Sequence, residues 1–406
     1  MPIDWDDDEP VASHRYGVGM QWLFVRLVVV GGTSLRGAAR VLTVLAEALE
    51  WSVPVPHWTT GRLWLLRLGH ALLTAAKDEG DDWAWLVDHS VQIGQEKCLV
   101  IVGLRLQDLP PPGQCLTHND LELIAVVPRK SWTQPEVDEA LETATATTGV
   151  PRVIVTDHGV DLYGGVKLFQ DRHPRTKEIY DAKHKAACVL KGRLENHPRW
   201  QTFQQRVTQT RCAIQQTELA FLVPPGPRPK ARFMNLEVLL HWASKTLLIV
   251  QQPPAVVLQS VSPERLQEKL GWLQEFAVDI AEWSEWQAIV NGVLGFVNRQ
   301  GIDRGAARRL RCELPRHPVH ASSASLLKEL TVFVAQQARG VRPGERLPGS
   351  TEVLESGFGR FKQLEKQQAR GGFTSLLLGF GALLVDTTTE LLGAALQHSL
   401  LIAARL

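Results

Sequence analysis

Two aspartates, Asp88 and Asp157, lie in or next to apolar stretches, where a carboxylate is unusual. Asp88 lies inside "WLVDHSV", a β-rich run with apolar residues on both sides, and Asp157 ends the apolar run "VPRVIVTD". Carboxylates are rarely buried among apolar residues unless they are paired or bind a cation. Two neighbouring carboxylates repel each other unless a divalent cation neutralises them, and such oxygen ligands favour Mg²⁺ or Mn²⁺. The pattern indicates a metal site if the two strands are neighbours. A turn or helix cap would also explain Asp157, and Asp161 is the alternative second ligand.

The candidate third carboxylate is Glu355 in "STEVLESGFGRFK" (350–362), a stretch that begins like a capped helix. Glu352 falls in the first helical turn, where the helix dipole favours an acid whatever its function. Glu355 has no such reason to be there, so we predict it as the third metal ligand, with Glu352 as the alternative. On a helix, Lys362 follows Glu355 on the same stripe two turns later, where it could meet a phosphate.

Composition restricts the kinds of protein that could use such a site. The 406 residues suggest two to four structural units, and a formal net charge of +1 requires any nucleic-acid binding to come from local basic patches. Five scattered cysteines without a CxxC pair argue against a disulfide framework or a cysteine zinc site, and for a cytoplasmic protein. The N-terminal residues lack the apolar stretch of a secretory signal. Asp386 and Glu390 interrupt the apolar C-terminal segment, which predicts buried helices and no membrane association.

The elements that must position these acids alternate between strands and helices. Three β-rich runs, "WAWLVDHSV", "KCLVIVGLRL" and "LELIAVVPRK", predict a meander. A helix from Thr133 to Gly149 and a buried strand, "VPRVIVTDHG", follow them. A strand-like run, "KEIYDAKH", then precedes one long helix predicted from about 185 to 221. Strand-strand-strand-helix-strand is the order of a ribonuclease H-like α/β core with a mixed sheet.

Helical patterns flank this core and extend it. Residues 1–75 hold three short helices with a tight turn, which fits a helix-turn-helix DNA-binding module or, equally, a small bundle without a ligand. A proline-rich stretch ends the first part of the core, predicted over 80–222, and residues 223–347 are predicted to be an all-α insertion. The last part, 348–406, supplies the helix with Glu355 and the C-terminal helices.

Four stretches, taken in order, resemble the blocks of DDE transposases of bacterial insertion sequences. They are "LVDHSVQIGQEKCLVIVGL", "RVIVTDHGVDLYGGVKLF", "IYDAKHKAACVLKGRL" and "STEVLESGFGRFK". The resemblance extends over roughly residues 15 to 370 and implies a ribonuclease H-like catalytic core with an all-helical insertion before the last acid. It implies that Asp88, Asp157 and Glu355 are catalytic and bind two metal ions, Mg²⁺ or Mn²⁺. Those ions would promote attack of water, and then of a DNA 3′-hydroxyl, on phosphodiesters.

The resemblance also implies partners and further residues. The protein would be a transposase that binds terminal inverted repeats, cuts and joins double-stranded DNA, and works as a homodimer on paired ends without a small-molecule cofactor. Asp181 and His184 resemble an Asp-x-x-His motif near the site, although a local hydrogen bond between them explains the pair equally well. Trp272, Trp283 and Trp286 of the insertion could stack on a flipped base, but their spacing favours core packing.

Basic residues that could contact DNA are concentrated in two regions. Residues 165–212 carry eleven lysines or arginines and four acids, and a second cluster occupies 298–317. A basic run is usually a solvated face, but the first run begins close to Asp157. The cations predicted to bind DNA, the first two of them on the recognition helix of the N-terminal module, are Arg62, Arg67, Lys183, Lys185, Lys191, Arg193, Arg308 and Arg309.

Two other functions fit part of the pattern. A domesticated, transposase-derived DNA-binding protein would keep the fold and lose the chemistry; the presence of all three acids speaks against it. A ribonuclease H-like nuclease, such as a junction resolvase, would use the same acids. Such enzymes are usually shorter and lack a large helical insertion, so the chain fits them poorly.

Overall fold

The computed structural model describes residues 8, 10, 14–51, 53–93, 96–226, 233, 236–314, 318–367 and 375–403. Contacts between residues divide the chain into two compact units. The first comprises Met1–Ile179 and Ser350–Leu406, and the second comprises Tyr180–Gly349. The second unit therefore interrupts the first in sequence, and the segment that carries Glu355 belongs to the same unit as Asp88 and Asp157.

The elements are numbered in chain order. The strands are β1 Trp83–Ile93, β2 Glu96–Arg105, β3 Glu122–Arg129, β4 Val153–Thr156 and β5 Lys177–Tyr180. The helices are α1 Val18–Val29, α2 Leu35–Ala48, α3 Trp58–Thr74, α4 Gln134–Thr148, α5 Val160–Arg172, α6 Ala182–Leu194, α7 Pro198–Ile214, α8 Leu236–Gln251, α9 Ala255–Leu258, α10 Pro263–Leu270, α11 Ala277–Gln300, α12 Ala306–Glu313, α13 Ala321–Gln337, α14 Glu352–Lys366 and α15 Thr389–Ala403. Segments of 3₁₀ helix occupy Leu106–Asp108, His118–Asp120, Ala220–Leu222, Gly271–Phe276 and Ser375–Leu383.

The described strands form one five-stranded sheet with the order β3-β2-β1-β4-β5. β1 runs antiparallel to β2, β2 runs antiparallel to β3, and β1 runs parallel to β4. The predicted α/β class with a mixed sheet is confirmed. The condition on which the metal-site prediction depended, that the first and fourth strands are neighbours, is also met.

Helix α4 shows how local sequence sets an element of this core. Thr133 and Glu136 form a capping box, in which each side chain accepts a hydrogen bond from the other residue's backbone N–H. Pro135 lies in the first turn, where its missing N–H would have had no partner. The helix ends at Gly149, whose φ of 82° is readily adopted by glycine alone. The predicted start and stop of this helix are confirmed.

The two faces of the sheet carry different layers. Trp85 and Val87 of β1 belong to a core that also contains side chains of α4 and α5. Because side chains alternate along a strand, Leu86 and Asp88 point to the opposite face. Asp88 therefore does not point into the α4 and α5 layer.

The last 3₁₀ segment and α14 cover that opposite face. Ile124 of β3 belongs to the core with α4 and α5, so its neighbour Leu123 points the other way. A Cβ atom on Gly381 would lie 3.0 Å from Leu123 Cδ2. Phe358 of α14 stacks on Phe380 with ring centroids 5.4 Å apart. The helix predicted to carry the third acid is thus layered with the 3₁₀ segment on the Asp88 side of the sheet.

The predicted N-terminal helices α1, α2 and α3 are present, but α3 is buried over most of its length. Trp64 and Leu68 have almost no exposure to solvent. Gly69 approaches the backbone of Leu378 so closely that a Cβ atom would overlap the carbonyl group. α3 also contacts β3 and α15. A recognition helix presents one long face to DNA, so the helix-turn-helix role of this module stays a prediction.

The C-terminal region packs onto the N-terminal helices. Asp386 forms an ion pair with Arg26, and Trp22 Nε1 donates a hydrogen bond to the carbonyl of Thr387 at 2.7 Å. The expectation of buried C-terminal helices is confirmed for the 3₁₀ segment, most of whose residues are buried. Within the residues that the structure describes, no helix combines the length and apolar character needed to cross a lipid bilayer.

One predicted element is wrong. The single helix expected from about 185 to 221 is two helices, α6 and α7, which are separated by Glu195, Asn196 and His197. Pro198 occupies the first turn of α7, where its missing N–H is tolerated. Inside a continuous helix the same proline would cost about 3 kcal/mol, which explains the break.

The second unit is helical and is built around aromatic side chains. Trp200 and Phe203 of α7 pack against Trp272, Phe276 and Trp283, with ring centroids 4.8–5.7 Å apart. These contacts place α7 in the second unit, whereas the predicted core extended to residue 222. They also give the tryptophans a packing role.

Glu285 of α11 fixes the start of α13. Its carboxylate accepts hydrogen bonds from the backbone N–H groups of Val319 and His320, at 2.6 and 3.2 Å, and from Ser323 Oγ at 2.7 Å. His320 Nδ1 lies 2.6 Å from the same carboxylate. Burial alone would raise the pKa of Glu285, but these hydrogen bonds outweigh burial and lower it to about 2. An ionised carboxylate therefore caps the helix N-terminus.

Replacing Glu285 with glutamine is expected to lower the free energy of unfolding at pH 7. We expect a loss of about 2 kcal/mol, less than the pKa difference implies because the side chain is partly in water. A depressed pKa stabilises the fold above the unfolded value of 4.5, and this stabilisation is lost as the pH falls towards 2. Urea unfolding followed by circular dichroism should show the gap between the two proteins narrowing between pH 5 and pH 2. Glu313→Gln, at an exposed glutamate of the same unit, should change stability by less than about 0.5 kcal/mol. A gap that does not depend on pH would contradict the assignment.

Candidate active site

Asp88 and Asp157 lie side by side at one edge of the sheet. The parallel register pairs Val87 with Thr156; Asp88 is the next residue of β1, and Asp157 is the first residue after β4 ends. Neighbouring strands lie about 4.8 Å apart and their side chains alternate in step. The two carboxyl groups therefore leave the sheet on the same face, the one opposite α4 and α5. Asp88 is only 8% exposed.

Backbone N–H groups orient both carboxylates. Asp88 Oδ1 accepts a hydrogen bond from the N–H of His89 at 2.6 Å, and Asp157 Oδ1 accepts one from the N–H of Gly159 at 3.0 Å. The second contact is an Asx-type turn, so Asp157 also shapes the path from β4 into α5. Both carboxyl groups are therefore held in defined orientations by the backbone.

Glu355 lies on a helix that contacts the strand of Asp88. α14 packs against β1, and it buries Leu354, Phe358 and Phe361 almost completely. The first α14 turn carries both Glu352 and Glu355, and each is partly exposed. The expectation that Glu352 alone lies where the helix dipole favours an acid is therefore wrong, because α14 begins at Glu352. The helix of Glu355 thus lies against the strand that carries Asp88, and the role of Glu355 as third ligand stays a prediction.

The remaining predicted residue of α14, Lys362, is exposed two turns after Glu355. His118, which the sequence did not single out, lies beside this helix. Its Nε2 atom is 3.2 Å from Ser356 Oγ. Burial lowers the pKa of His118, and Arg360 lowers it further. No motif signals this histidine, because its loop between β2 and β3 meets α14 only in the folded unit.

A second residue missed by sequence reasoning is His89, which follows Asp88 directly. Its ring stacks on Trp132 with centroids 5.3 Å apart, and its Nδ1 lies 3.3 Å from Asp161 Oδ2. Burial lowers the pKa of His89 to about 4, Lys97 contributes to the decrease, and Asp161 and Asp157 oppose it. The ring is therefore neutral at pH 7. The sequence signal that could have identified His89 is its position directly after the candidate ligand Asp88 in "DHS".

The same network engages Asp161, the alternative second ligand. Lys97 Nζ donates to Asp161 Oδ2 at 2.9 Å. Burial alone would raise the pKa of Asp161, but the contacts with Lys97 and His89 lower it. Asp161 already serves as the partner of a lysine and a histidine, whereas Asp88 and Asp157 lie beside each other. The geometry thus favours Asp157 over Asp161 as the second candidate ligand.

The donor chemistry fits a hard divalent cation, but a complete cage is not in place. Carboxylate oxygens are the ligands that Mg²⁺ and Mn²⁺ prefer. In the described ranges, no group of three or more His, Cys, Asp or Glu side chains is placed to hold a metal ion. The aspartate pair supplies two candidate ligands, and Glu355 of the covering helix is the predicted third.

Asp181 and His184 belong to the second unit, and they contact each other. Asp181 is fully buried and caps α6, accepting a hydrogen bond from the His184 N–H at 2.7 Å. His184 Nδ1 lies 3.3 Å from the same carboxylate oxygen. The local hydrogen bond between Asp181 and His184, which was the alternative explanation for the Asp-x-x-His pattern, is therefore present. A role for the pair in catalysis stays a prediction.

The predicted DNA-binding cations have different environments. In the first unit, Arg62 donates to Ser375 Oγ at 2.7 Å, and Arg67 Nη1 lies 3.3 Å from His14 Nε2. In the second unit, three of the cations form ion pairs, which are Lys191 with Glu195 at 3.6 Å, Arg193 with Glu329 at 3.1 Å and Arg309 with Asp303 at 2.7 Å. Lys183, Lys185 and Arg308 are partly or fully exposed. Exposed ion pairs contribute little to stability, so phosphates could displace the acidic partners; DNA binding by these residues stays a prediction.

Comparisons with known proteins give a likeness to solved structures and none to sequence families. No protein-family model matches the chain, and no curated protein matches it. Among solved structures, the chain is similar to one titled "Drosophila P element transposase strand transfer complex", with a TM-score of 0.42 and 10% sequence identity. The match covers 93% of this chain and 94% of that chain. At this level the likeness decides neither the fold nor the function of the protein.

Proposed function

We propose that the protein is a DNA transposase of the DDE type, which cuts and joins double-stranded DNA at the ends of a mobile element. The observation that carries the proposal is the parallel pairing of β1 with β4, which brings Asp88 of β1 beside Asp157, the first residue after β4. The contact of α14 with β1 supports Glu355 as the third acid. Binding of terminal inverted repeats and pairing of two ends by a homodimer belong to the same proposal.

In this function the three acids would hold Mg²⁺ or Mn²⁺. A bound divalent cation would neutralise charge that develops on a phosphodiester under attack. Asp88 and Asp157 supply oriented carboxyl oxygens, because the N–H groups of His89 and Gly159 fix their carboxyl groups. The aromatic stripe of α14 holds the helix against the sheet, so Glu355 needs no ordering of its backbone to take part.

Glutamine substitutions distinguish the two glutamates of α14. Glu355→Gln is expected to reduce Mg²⁺-dependent cleavage of duplex DNA taken from the flanks of the gene by more than about 100-fold. Loss of a group that merely supports a metal ligand already costs about 10- to 100-fold. Glu352→Gln, in the same first turn, should retain cleavage within about threefold, because both acids can interact with the helix dipole and only Glu355 is proposed to bind the metal. A supercoiled plasmid carrying the flanking DNA, assayed for nicks and joined products, gives the measurement. The reverse pattern would assign the third acid to Glu352, and full activity in both variants would remove α14 from the site.

A second candidate is a DNA-binding protein that lacks the chemistry. It is favoured by the lack of a preformed three-ligand cluster among the described residues. Duplex binding without cleavage by the unmodified protein, in either Mg²⁺ or Mn²⁺, would support this candidate and contradict the enzyme. Cleavage without any joined product would indicate a nuclease instead of a transposase.

A further inference from the structure

The exposed side of α7 carries a group of uncharged side chains dominated by amides. Gln201, Gln204, Gln205, Thr208 and Gln209 line an open surface depression of about 520 Å³. Their spacings of three, four and one residues place them on one side of the helix over about two and a half turns. We refer to these five residues as the amide row.

The opposite side of α7 is held firmly in the second unit. Trp200, Phe203 and Ile214 are buried, with at most 1% exposure. Trp272 Nε1 donates a hydrogen bond to Thr210 Oγ1 at 2.9 Å. A helix anchored in this way presents its outer side chains from a rigid backbone, which is the arrangement that precise recognition requires.

The amide groups of the row are largely available for a ligand. Gln201 Nε2 donates to the carbonyl of Glu195 at 3.1 Å. In the part of the chain that the structure describes, the side-chain amides of Gln204, Gln205 and Gln209 make no hydrogen bond to the protein. Gln205 and Gln209 are exposed. These groups are hydrated in the free protein and can exchange water for another polar partner.

A glutamine amide offers one donor and one acceptor side by side. This pair matches the N6 and N7 edge of adenine in the major groove of duplex DNA. The groove is about 12 Å wide and admits a helix. From Gln201 to Gln209 the helix axis advances about 12 Å, which corresponds to three to four base pairs at about 3.4 Å each. The row therefore has the dimensions of a short base-reading surface.

Charge and polarity favour DNA over a protein partner. α6 and α7 together carry seven lysines or arginines and no aspartate or glutamate. Four of these cations form ion pairs with acids outside the two helices, which are Lys191 with Glu195, Arg193 with Glu329, Arg199 with Asp279 and Arg206 with Glu275. A phosphate backbone would compete with these acids for the cations. The amide row contains no aromatic or aliphatic side chain of the kind that anchors protein interfaces. A polar row on a basic helix pair is thus complementary to a nucleic acid.

We propose that α7 is a DNA-reading helix, whose amide row recognises A·T base pairs in the major groove. The proposal rests on the proposed function in one respect, that the protein binds duplex DNA, and it does not depend on the carboxylates. It assigns sequence reading to the second unit, whereas the sequence pattern had assigned it to α3.

Selection from a pool of duplexes with a randomised central segment tests the proposal with the full-length protein. The unmodified protein should enrich a motif that contains A·T pairs. Gln205→Ala should weaken binding to the enriched duplex by about 5- to 150-fold and leave binding to a scrambled duplex within about twofold. Gln205→Arg should shift the preference at one position from A·T to G·C, because arginine pairs with guanine. Gln216→Ala changes an exposed glutamine outside the row and should leave the selected motif unchanged.

The outcomes separate this inference from the proposed function. Salt-dependent duplex binding without any enriched motif would overturn the reading role of α7 and leave the proposed function intact. An enriched motif that is unchanged in Gln205→Ala and Gln205→Arg would place sequence reading elsewhere and also overturn it. No binding to any duplex would instead overturn the proposed function itself, and with it this inference. Circular dichroism of each variant confirms that the exposed substitutions leave the helix folded.

Discussion

Replacing Asp88 with asparagine is expected to abolish Mg²⁺-dependent DNA cleavage without weakening the fold. Asparagine has nearly the same volume, and its Oδ1 atom can still accept the hydrogen bond from the His89 N–H. The substitution removes the negative charge, and with it an anionic metal ligand, so cleavage should fall by more than about 100-fold. Stability should stay equal or rise, because a carboxylate that is 8% exposed pays a desolvation cost that an amide avoids.

Activity and stability measured together decide whether Asp88 is functional or structural. Cleavage of the flanking DNA and thermal unfolding should be followed for Asp88→Asn and for Asp171→Asn, which changes an exposed aspartate of the same unit. The control should match the unmodified protein in both measurements. Lost cleavage together with a lower melting temperature would assign Asp88 to the core, and retained cleavage would exclude it from the active site.

The sequence predicted the elements of the sheet because their signals are local. The apolar runs of β1, β2, β3 and β4 and the cap signals of α4 depend on residues close in the chain, and all of these elements are present. The error at α6 and α7 arose where the helical pattern continues across Pro198. A proline in a helical pattern can either begin a new helix or interrupt a continuous one, and Pro198 begins α7.

The site was predictable in part, since Asp88 and Asp157 meet only if β1 and β4 pair. That pairing joins Val87 to Thr156 across a large sequence separation, and the fold-level order of elements suggested it. The surroundings of the basic residues were not predictable. Arg193 pairs with Glu329, which is 136 positions away in the sequence. No local sequence pattern predicts such an ion pair. The burial of α3 likewise depends on the 3₁₀ segment, which lies some 300 residues later in the chain.

Replacing Gly69 with alanine is expected to destabilise the first unit by about 2–3 kcal/mol. A Cβ atom on Gly69 would overlap the carbonyl group of Leu378, and Gly379 Cα lies 3.0 Å from the same position. Both contacts are with backbone, so no side-chain rotation can relieve them. α3 and the 3₁₀ segment would have to move apart, which costs more than the helix propensity gained from alanine, about 1 kcal/mol. Urea unfolding of the full chain measures the change.

Gly359→Ala is the matched control, since Gly359 also lies inside a helix of the first unit and a Cβ atom there would meet nothing within 4 Å. It should be neutral or stabilising by up to about 1 kcal/mol. The Gly69 substitution should also reduce cleavage, because the segment that it displaces carries Phe380, on which Phe358 and Phe361 of the Glu355 helix pack. Equal stability for the two alanine variants would mean that α3 and the 3₁₀ segment are not in close contact. Lower stability with unchanged cleavage would mean instead that the contact between α3 and the 3₁₀ segment does not position α14. The position of Glu355 would then depend only on the contact of α14 with β1.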